Sequence, residues 1–382
     1  PTIKEAQEDY EENNESIKNE ISAEISLLKN LEKELLNFEK ELIEKDSLDW
    51  RDKKKLEEIL ERQSNLEKKI KELKNVAESN FNQLNTVSPP TEEIMKKQEA
   101  LKKLFDEIMP DEMKDLYREL EELKDQLNKD DLQQKLQDLK LSNEDLEKEL
   151  DRNLEILKQV EFEQKLENII DQIEKLKDSQ IKLSNEPEKV VDEKIQIQQK
   201  HQEEFRDIQE NIQEMRGLNE DLENKKNIDE TKSLEEEINQ SLSESQENLE
   251  KNNKKKASKS QKKTGESLEK LANLFTNMKK KEQKDQHYED MDVLRQILEN
   301  LVYFSIEEED HLLEFEELDK NDPKYAELMH AQQNLREAAQ VIEDSLFALS
   351  KRVPQVSSKI NREINAIDKK TASAIDYLRE RM

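Results

Sequence analysis

Apolar residues recur along this chain at steps of three and four, the spacing that lines one face of an α-helix. The first stripe is Ile17, Ile21, Leu28, Leu31, Leu35, Phe38 and Leu42, which predicts a helix over about 4–45. A turn over Lys45-Asp46-Ser47-Leu48-Asp49 follows, with Asp49 as the N-cap of a second helix to about residue 85. That helix repeats Leu56, Ile59, Gln63, Leu66, Ile70, Leu73 and Ala77. Two long helices with a short link read as an antiparallel hairpin. Trp50 at the turn reads as a plug for the hairpin tip, or else as an anchor for a partner.

Prolines punctuate the rest, because Pro interrupts a helix interior. Ser88-Pro89-Pro90-Thr91 is a break, and Thr91, Glu92 and Glu93 open a third helix that ends near Met109. Pro110 suits the first turn of the next. Ser142 is expected to cap a long helix over about 143–184, carrying Leu146, Leu150, Leu157, Phe162, Leu166, Ile169, Ile173 and Leu176. The five-residue step from Leu157 to Phe162 shifts the phase of that seam. Pro187 opens a helix whose seam is polar at Gln198 and His201 before Phe205, Ile208, Ile212 and Met215. Ser233 and Glu236 form a capping-box pattern. After Leu249 the apolar signal disappears until Leu268, and Lys251–Lys263 holds seven Lys and no acid.

The last third is densest. A helix over about 288–319 carries Leu294, Ile297, Leu298, Leu301, Phe304, Leu312 and Phe315. Asn321-Asp322-Pro323 turns the chain into a stripe of Leu328, Gln332, Leu335, Ala339, Ile342, Leu346 and Leu349, which Pro354 ends. Ile360, Ile364, Ile367, Thr371 and Ala374 mark the final helix.

The expected fold is therefore all-α: long antiparallel helical hairpins or coiled coils with a C-terminal three-helix bundle. Its segments are a hairpin at 1–88, short helices at 89–140 and a long hairpin at 141–226. A Lys-rich linker or solvated helix at 227–287 and the bundle at 288–382 complete it.

Composition narrows the function. Charged residues make up 41% and hydrophobic ones 32%, against about 25% and about 45–50% in an average domain. Regular spacing argues for narrow seams rather than disorder. With only Gly217 and Gly265, glycine-rich phosphate loops and nucleotide fingerprints have no place to form. The net charge of −30 opposes nucleic acid and anionic membranes. Absence of Cys excludes disulfides and thiolate metal sites. No apolar run approaches the ~20 residues of a membrane span. The opening Pro1 reads as a processed product or a fragment, with any membrane anchor outside this chain.

Glu308-x-x-His311 and Glu327-x-x-His330 match the motif pair of a carboxylate-bridged di-metal centre. With Leu328 and Gln332 on the seam, however, His330 falls on the outer face, whereas a ligand must point inward. Acids are frequent enough here to place a Glu before a His without function. His201 is read as the one histidine on a seam: a register-setting polar residue, or a pH switch. His287 carries no evident signal. The Lys251–Lys263 stretch is read as a solvated or self-neutralised segment, with anionic lipid as the alternative. The expectation is no enzyme, with no catalytic, cofactor-binding or metal residues and no cofactor.

Three blocks carry a family resemblance: Leu141–Arg152, Glu161–Glu167 and Ile342–Pro354. They resemble the coiled-coil half of large membrane-anchored envelope proteins of Bacteroidota, an uncharacterised domain-of-unknown-function family. The resemblance implies a periplasmic, inner-membrane-anchored envelope protein with no catalytic residues to carry over. With that location, the expected function is a structural or scaffolding role toward other envelope proteins through helical seams, with a homo-oligomer as one form. The alternatives are a cytoplasmic tether or filament protein and, from a different class, a metal-dependent enzyme built on the C-terminal bundle.

Overall fold

A computed structural model describes residues 3–45, 49–126, 129–186, 190–228, 230–319 and 322–380. The chain is all-α, and no strand occurs among the described residues. The helices are α1 (Ile3–Ile43), α2 (Trp50–Val87), α3 (Glu92–Glu107), α4 (Asp111–Gln126), α5 (Lys129–Ser184), α6 (Val191–Glu220), α7 (Lys232–Glu250), α8 (Lys254–Glu317), α9 (Pro323–Arg352) and α10 (Ser358–Glu380). They divide into two compact units, one of residues 1–157 and 290–382, the other Lys158–Glu289. The bundle expected at 288–382 groups with the N-terminal helices, and 141–226 is cut after Leu157.

In the first unit, Asp49 caps α2 as its residue type requires. Its Oδ1 accepts from the backbone N–H of Arg51 (2.6 Å) and Asp52 (3.1 Å), and Asp52 Oδ2 accepts from Asp49 N–H (2.8 Å). Residues Asp46, Ser47 and Leu48 of the expected turn lie outside the described residues. The pairs Glu41–Lys55, Glu34–Arg62, Glu20–Lys69 and Asn13–Asn80 step back along α1 as they step forward along α2, the antiparallel order. Leu35, Phe38 and Leu42 of α1 and Leu56, Ile59 and Leu60 of α2 form one core. Leu116 and Leu120 of α4 and Leu132, Leu136 and Leu139 of α5 complete it.

Trp50 does not plug the hairpin. It is 73% exposed, with the Lys54 ammonium 5.8 Å from its ring. Nor does Ser142 start a helix, because α5 begins at Lys129 and runs through it. The apolar repeat Leu132, Leu136, Leu139, Leu146, Leu150 continues across that point, with buried Asn143 filling the missing seam position.

The same unit holds α9, α10 and the C-terminal part of α8. Ile297 and Phe304 pack with Leu335, Ala339, Ile342, Leu346, Leu349 and Ile364, with Ile367 at the edge. Ile360, expected in that core, is 48% exposed. Pro323 occupies the first turn of α9, capped by Asp322, whose carboxylate accepts from Lys324 N–H at 2.9 Å. Asn321 lies outside the described residues. Pro354 follows the end of α9 at Arg352.

The second unit surrounds one core. Phe162, Leu166, Ile169, Ile173 and Leu176 of α5 meet Phe205, Ile208, Ile212 and Met215 of α6. Ile238 and Leu242 of α7 and Leu268, Leu271, Phe275 and Met278 of α8 close it. Pro187, expected to open α6, lies outside the described residues. The start of α7 is two residues earlier than the Ser233 pattern implies, with Thr231 as N-cap. The Lys-rich stretch, expected as a linker or a solvated helix, is helical from Lys254. After a turn in which Asn252 takes a positive φ of 57°, α8 starts at Lys254 and buries Ala257, Gln261 and Thr264.

Candidate functional site

The four residues of the di-metal pattern separate into two pairs. His311 is buried, and its Nδ1–H donates to Gln332 Oε1 at 2.7 Å. Gln332 Nε2 donates to Glu308 Oε1 at 2.8 Å, and Thr371 Oγ1 donates to the same oxygen at 3.5 Å. Glu327 and His330 are exposed on the other side of α9. His311 is thus a second histidine on a seam, contrary to the expectation that His201 stands alone. The apolar spacing puts Leu312 inward, but Leu312 is exposed and Ile297, Phe304 and His311 face the core. Among the described residues, no group of three or more His, Asp or Glu is arranged to hold a metal ion.

The second unit carries a polar layer in an otherwise apolar core. Gln180 of α5, Gln198 of α6, Ser245 of α7 and Gln261 of α8 are all fully or almost fully buried. Gln198 Oε1 accepts from Ser245 Oγ (3.0 Å) and Gln261 Nε2 (3.2 Å). Beside it, Thr264 Oγ1 donates to Ser241 Oγ at 3.0 Å. His201 contacts Ser179 Oγ through Nε2 at 2.7 Å, while its Nδ1 is buried without a partner. Burial, with Lys200 adding to it, pushes the imidazole down to about 4, so the ring is neutral at pH 7. A buried unpaired lone pair costs less than a buried unpaired N–H, which favours Nε2–H donating to Ser179. Such layers lower stability and fix the register of the helices around them.

A third cluster, in the first unit, was not anticipated. Arg152 of α5 is completely buried. Its Nε donates to Ser350 O at 3.1 Å and its Nη2 to Val356 O, the carbonyls flanking the α9–α10 turn. Glu149, one turn away, accepts from Arg152 Nη1 (3.5 Å), Ser358 Oγ (2.7 Å) and Asn361 Nδ2 (3.4 Å). Burial lowers the pKa of the guanidinium, and Glu149 and Glu107 oppose that. Glu107 of α3 then caps α10: its Oε2 accepts from Ser358 N–H (3.1 Å) and Ser357 Oγ (3.2 Å). A carboxylate at a helix N-terminus is favoured by the dipole. The adjoining cavity, lined by Asp145, Lys148, Glu343 and Asn365 among others, has about 20 Å³. That is room for about one water, far below a ligand pocket. Only the sequence pair Glu149/Arg152, an i, i+3 charge pair on a seam, could have signalled this cluster.

The lysines divide by partner. Lys251 pairs with Glu247, and Lys263 with Glu237 at 3.5 Å. Among the described residues, Lys254, Lys255, Lys256, Lys259 and Lys262 are exposed and form no ion pair. His287 is also exposed. No helix among the described residues is long and apolar enough to cross a membrane. No family model, no curated protein and no solved structure matches this chain.

Proposed function

We propose that this chain is a non-enzymatic scaffolding protein of the bacterial cell envelope that binds partner proteins through helical seams. One observation supports it above the rest: several buried polar side chains bond to one another across helices. Gln63 Nε2 donates to Asn143 Oδ1 (2.8 Å), Tyr117 OH to Gln63 Oε1 (3.0 Å) and Asn80 Nδ2 to Asn14 Oδ1 (2.9 Å). The layers around Gln198 and Gln332 repeat the pattern. Groups used in this way set helix register and hold an extended surface in one shape. The envelope placement rests on the resemblance of Leu141–Arg152, Glu161–Glu167 and Ile342–Pro354.

The test is crosslinking in the native cell followed by fractionation. Envelope proteins joined to this chain through residues of its helical faces would support the proposal. A cytosolic fraction joined to cytosolic proteins would favour the tether alternative. Stoichiometric metal in the purified protein would revive the enzyme alternative.

A further inference from the structure

Large apolar side chains left in water are not spread evenly over this protein. Of the eighteen such residues among those described, seven lie between Met291 and Leu313 on α8. Five of them, Met291, Leu298, Val302, Ile306 and Leu313, are each more than half exposed. At about 100° per residue they fall within about 80° of one another. Ile297, Phe304 and His311 lie on the opposite side and are buried. This part of α8 is therefore apolar on two faces, and only one is covered. The uncovered stripe is on the order of 400 Å², the size at which an exposed patch marks an interaction site.

Charge decides what fits it. Asp292, Glu299, Asp310 and Glu317 line one border of the stripe, and Glu309 and Arg295 sit within it, Arg295 paired with Glu299 at 3.1 Å. Asp292, Glu309, Asp310 and Glu317 are exposed and have no ion-pair partner among the described residues. From Asp290 to Glu317 the sequence holds ten acids and one base, Arg295. A second copy would set this acidity against itself, and so would an anionic lipid surface. A basic helix satisfies both features. Its apolar residues cover the stripe, and its flanking Lys or Arg meet the acidic border.

We propose that the outer face of α8 from Met291 to Leu313 docks a basic amphipathic helix of a partner protein. This rests on the scaffold function proposed above and names the partner's chemistry.

The test uses the full chain and a synthetic helical peptide with Leu at heptad positions a and d and Lys at e and g, followed by fluorescence anisotropy. A matched peptide carries Glu at e and g. The Lys peptide is expected to bind at least about tenfold more tightly than the Glu peptide. The double substitution Leu298→Gln and Val302→Gln leaves net charge and helix propensity almost unchanged, and should weaken binding about tenfold. Asp292→Asn with Asp310→Asn, which leaves the stripe and the Arg295–Glu299 pair intact, should weaken it by about threefold and reduce its salt dependence. Equal binding of the Lys peptide to wild type and to the Leu298/Val302 variant would overturn the proposal, because general acidity would then be the cause. A stripe-dependent dimer in sedimentation, or stripe-dependent binding to phosphatidylcholine vesicles, would also overturn it. Failure here leaves the crosslinking result untouched, so the docking surface and the scaffold role fall separately.

Discussion

Ser179 Oγ lies 2.7 Å from Nε2 of His201, across the α5–α6 interface of the second unit. The hydroxyl meets one ring nitrogen and nothing meets the other. The ring is held neutral, down to about 4 from an ordinary 6.5. The unfolded chain therefore takes up this proton first as pH falls. The contribution is complete above about pH 6.5 and is lost progressively toward about pH 4, a range worth roughly 3 kcal/mol. In urea melts of wild type and His201→Leu, the stability of wild type relative to the variant should fall by about 2 kcal/mol between about pH 7.5 and about pH 5. Parallel loss of stability in both proteins would show that His201 is not the titrating group.

The two glycines should respond in opposite directions. Gly217 is exposed within α6, and a Cβ there would meet nothing within 4 Å. Gly217→Ala should stabilise by about 0.5–1 kcal/mol, through helix propensity alone. At Gly265 a Cβ would lie 2.8 Å from Ile181 Cγ1. Gly265→Val should destabilise by about 1–3 kcal/mol. Thermal melts of the two variants check both signs.

Arg152→Met should cost about 3–5 kcal/mol, because Glu149 would remain buried without its cation. Arg152→Lys should not restore stability, since one ammonium cannot reproduce a planar fork reaching two carbonyls. Adding Glu149→Gln to Arg152→Met should recover part of the loss. A Lys variant as stable as wild type in urea would show that the geometry of the fork is unimportant.

Leu346→Ala should cost about 2–5 kcal/mol, as for other buried Leu. Lys351 looks like an off-seam control in the sequence, but its ammonium lies 2.6 Å from Asp151 and 4.9 Å from the Phe347 ring. Lys351→Ala should therefore also destabilise, by about 1–3 kcal/mol. Ile360→Ala, at an exposed position, should stay within about 0.5 kcal/mol. Chemical denaturation of the three variants ranks them.

Limited trypsin digestion should cut at Lys225 before Lys254, Lys255 or Lys256. Lys225 is exposed in the non-helical segment that follows α6, whereas the other three lie within α8. Proteases prefer backbone free of regular hydrogen bonding. First cuts within 254–263 would show that the start of α8 frays.

Most helices were legible because Leu, Ile and Phe mark their seams without help from context. Errors arose where a polar residue occupies a seam position. Ala257, Gln261, Thr264, Leu268, Leu271, Phe275 and Met278 alternate four and three without a break, and all are buried. Read for spacing alone, this run is a helix; read for hydrophobicity, it begins only at Leu268. Asn143 hid the continuity of α5 in the same way, and His311 hid the true phase of α8 by sitting beside Leu312. The Arg152 cluster was harder to see. Apart from Glu149, the groups that Arg152 holds are 198 or more residues away and include two carbonyls, which have no identity in a sequence.

That last point bears on how the chain can drift. A guanidinium that holds the carbonyls of Ser350 and Val356 does not register which side chains those residues bear. The clasp places no demand on the Val356 side chain, which is held to an apolar type only by its packing on the α9–α10 core, whereas Arg152 itself has no substitute of the same shape. In an alignment, such a pair would show an invariant Arg152 facing a position that varies among apolar residues, with no covariation to reveal that they touch.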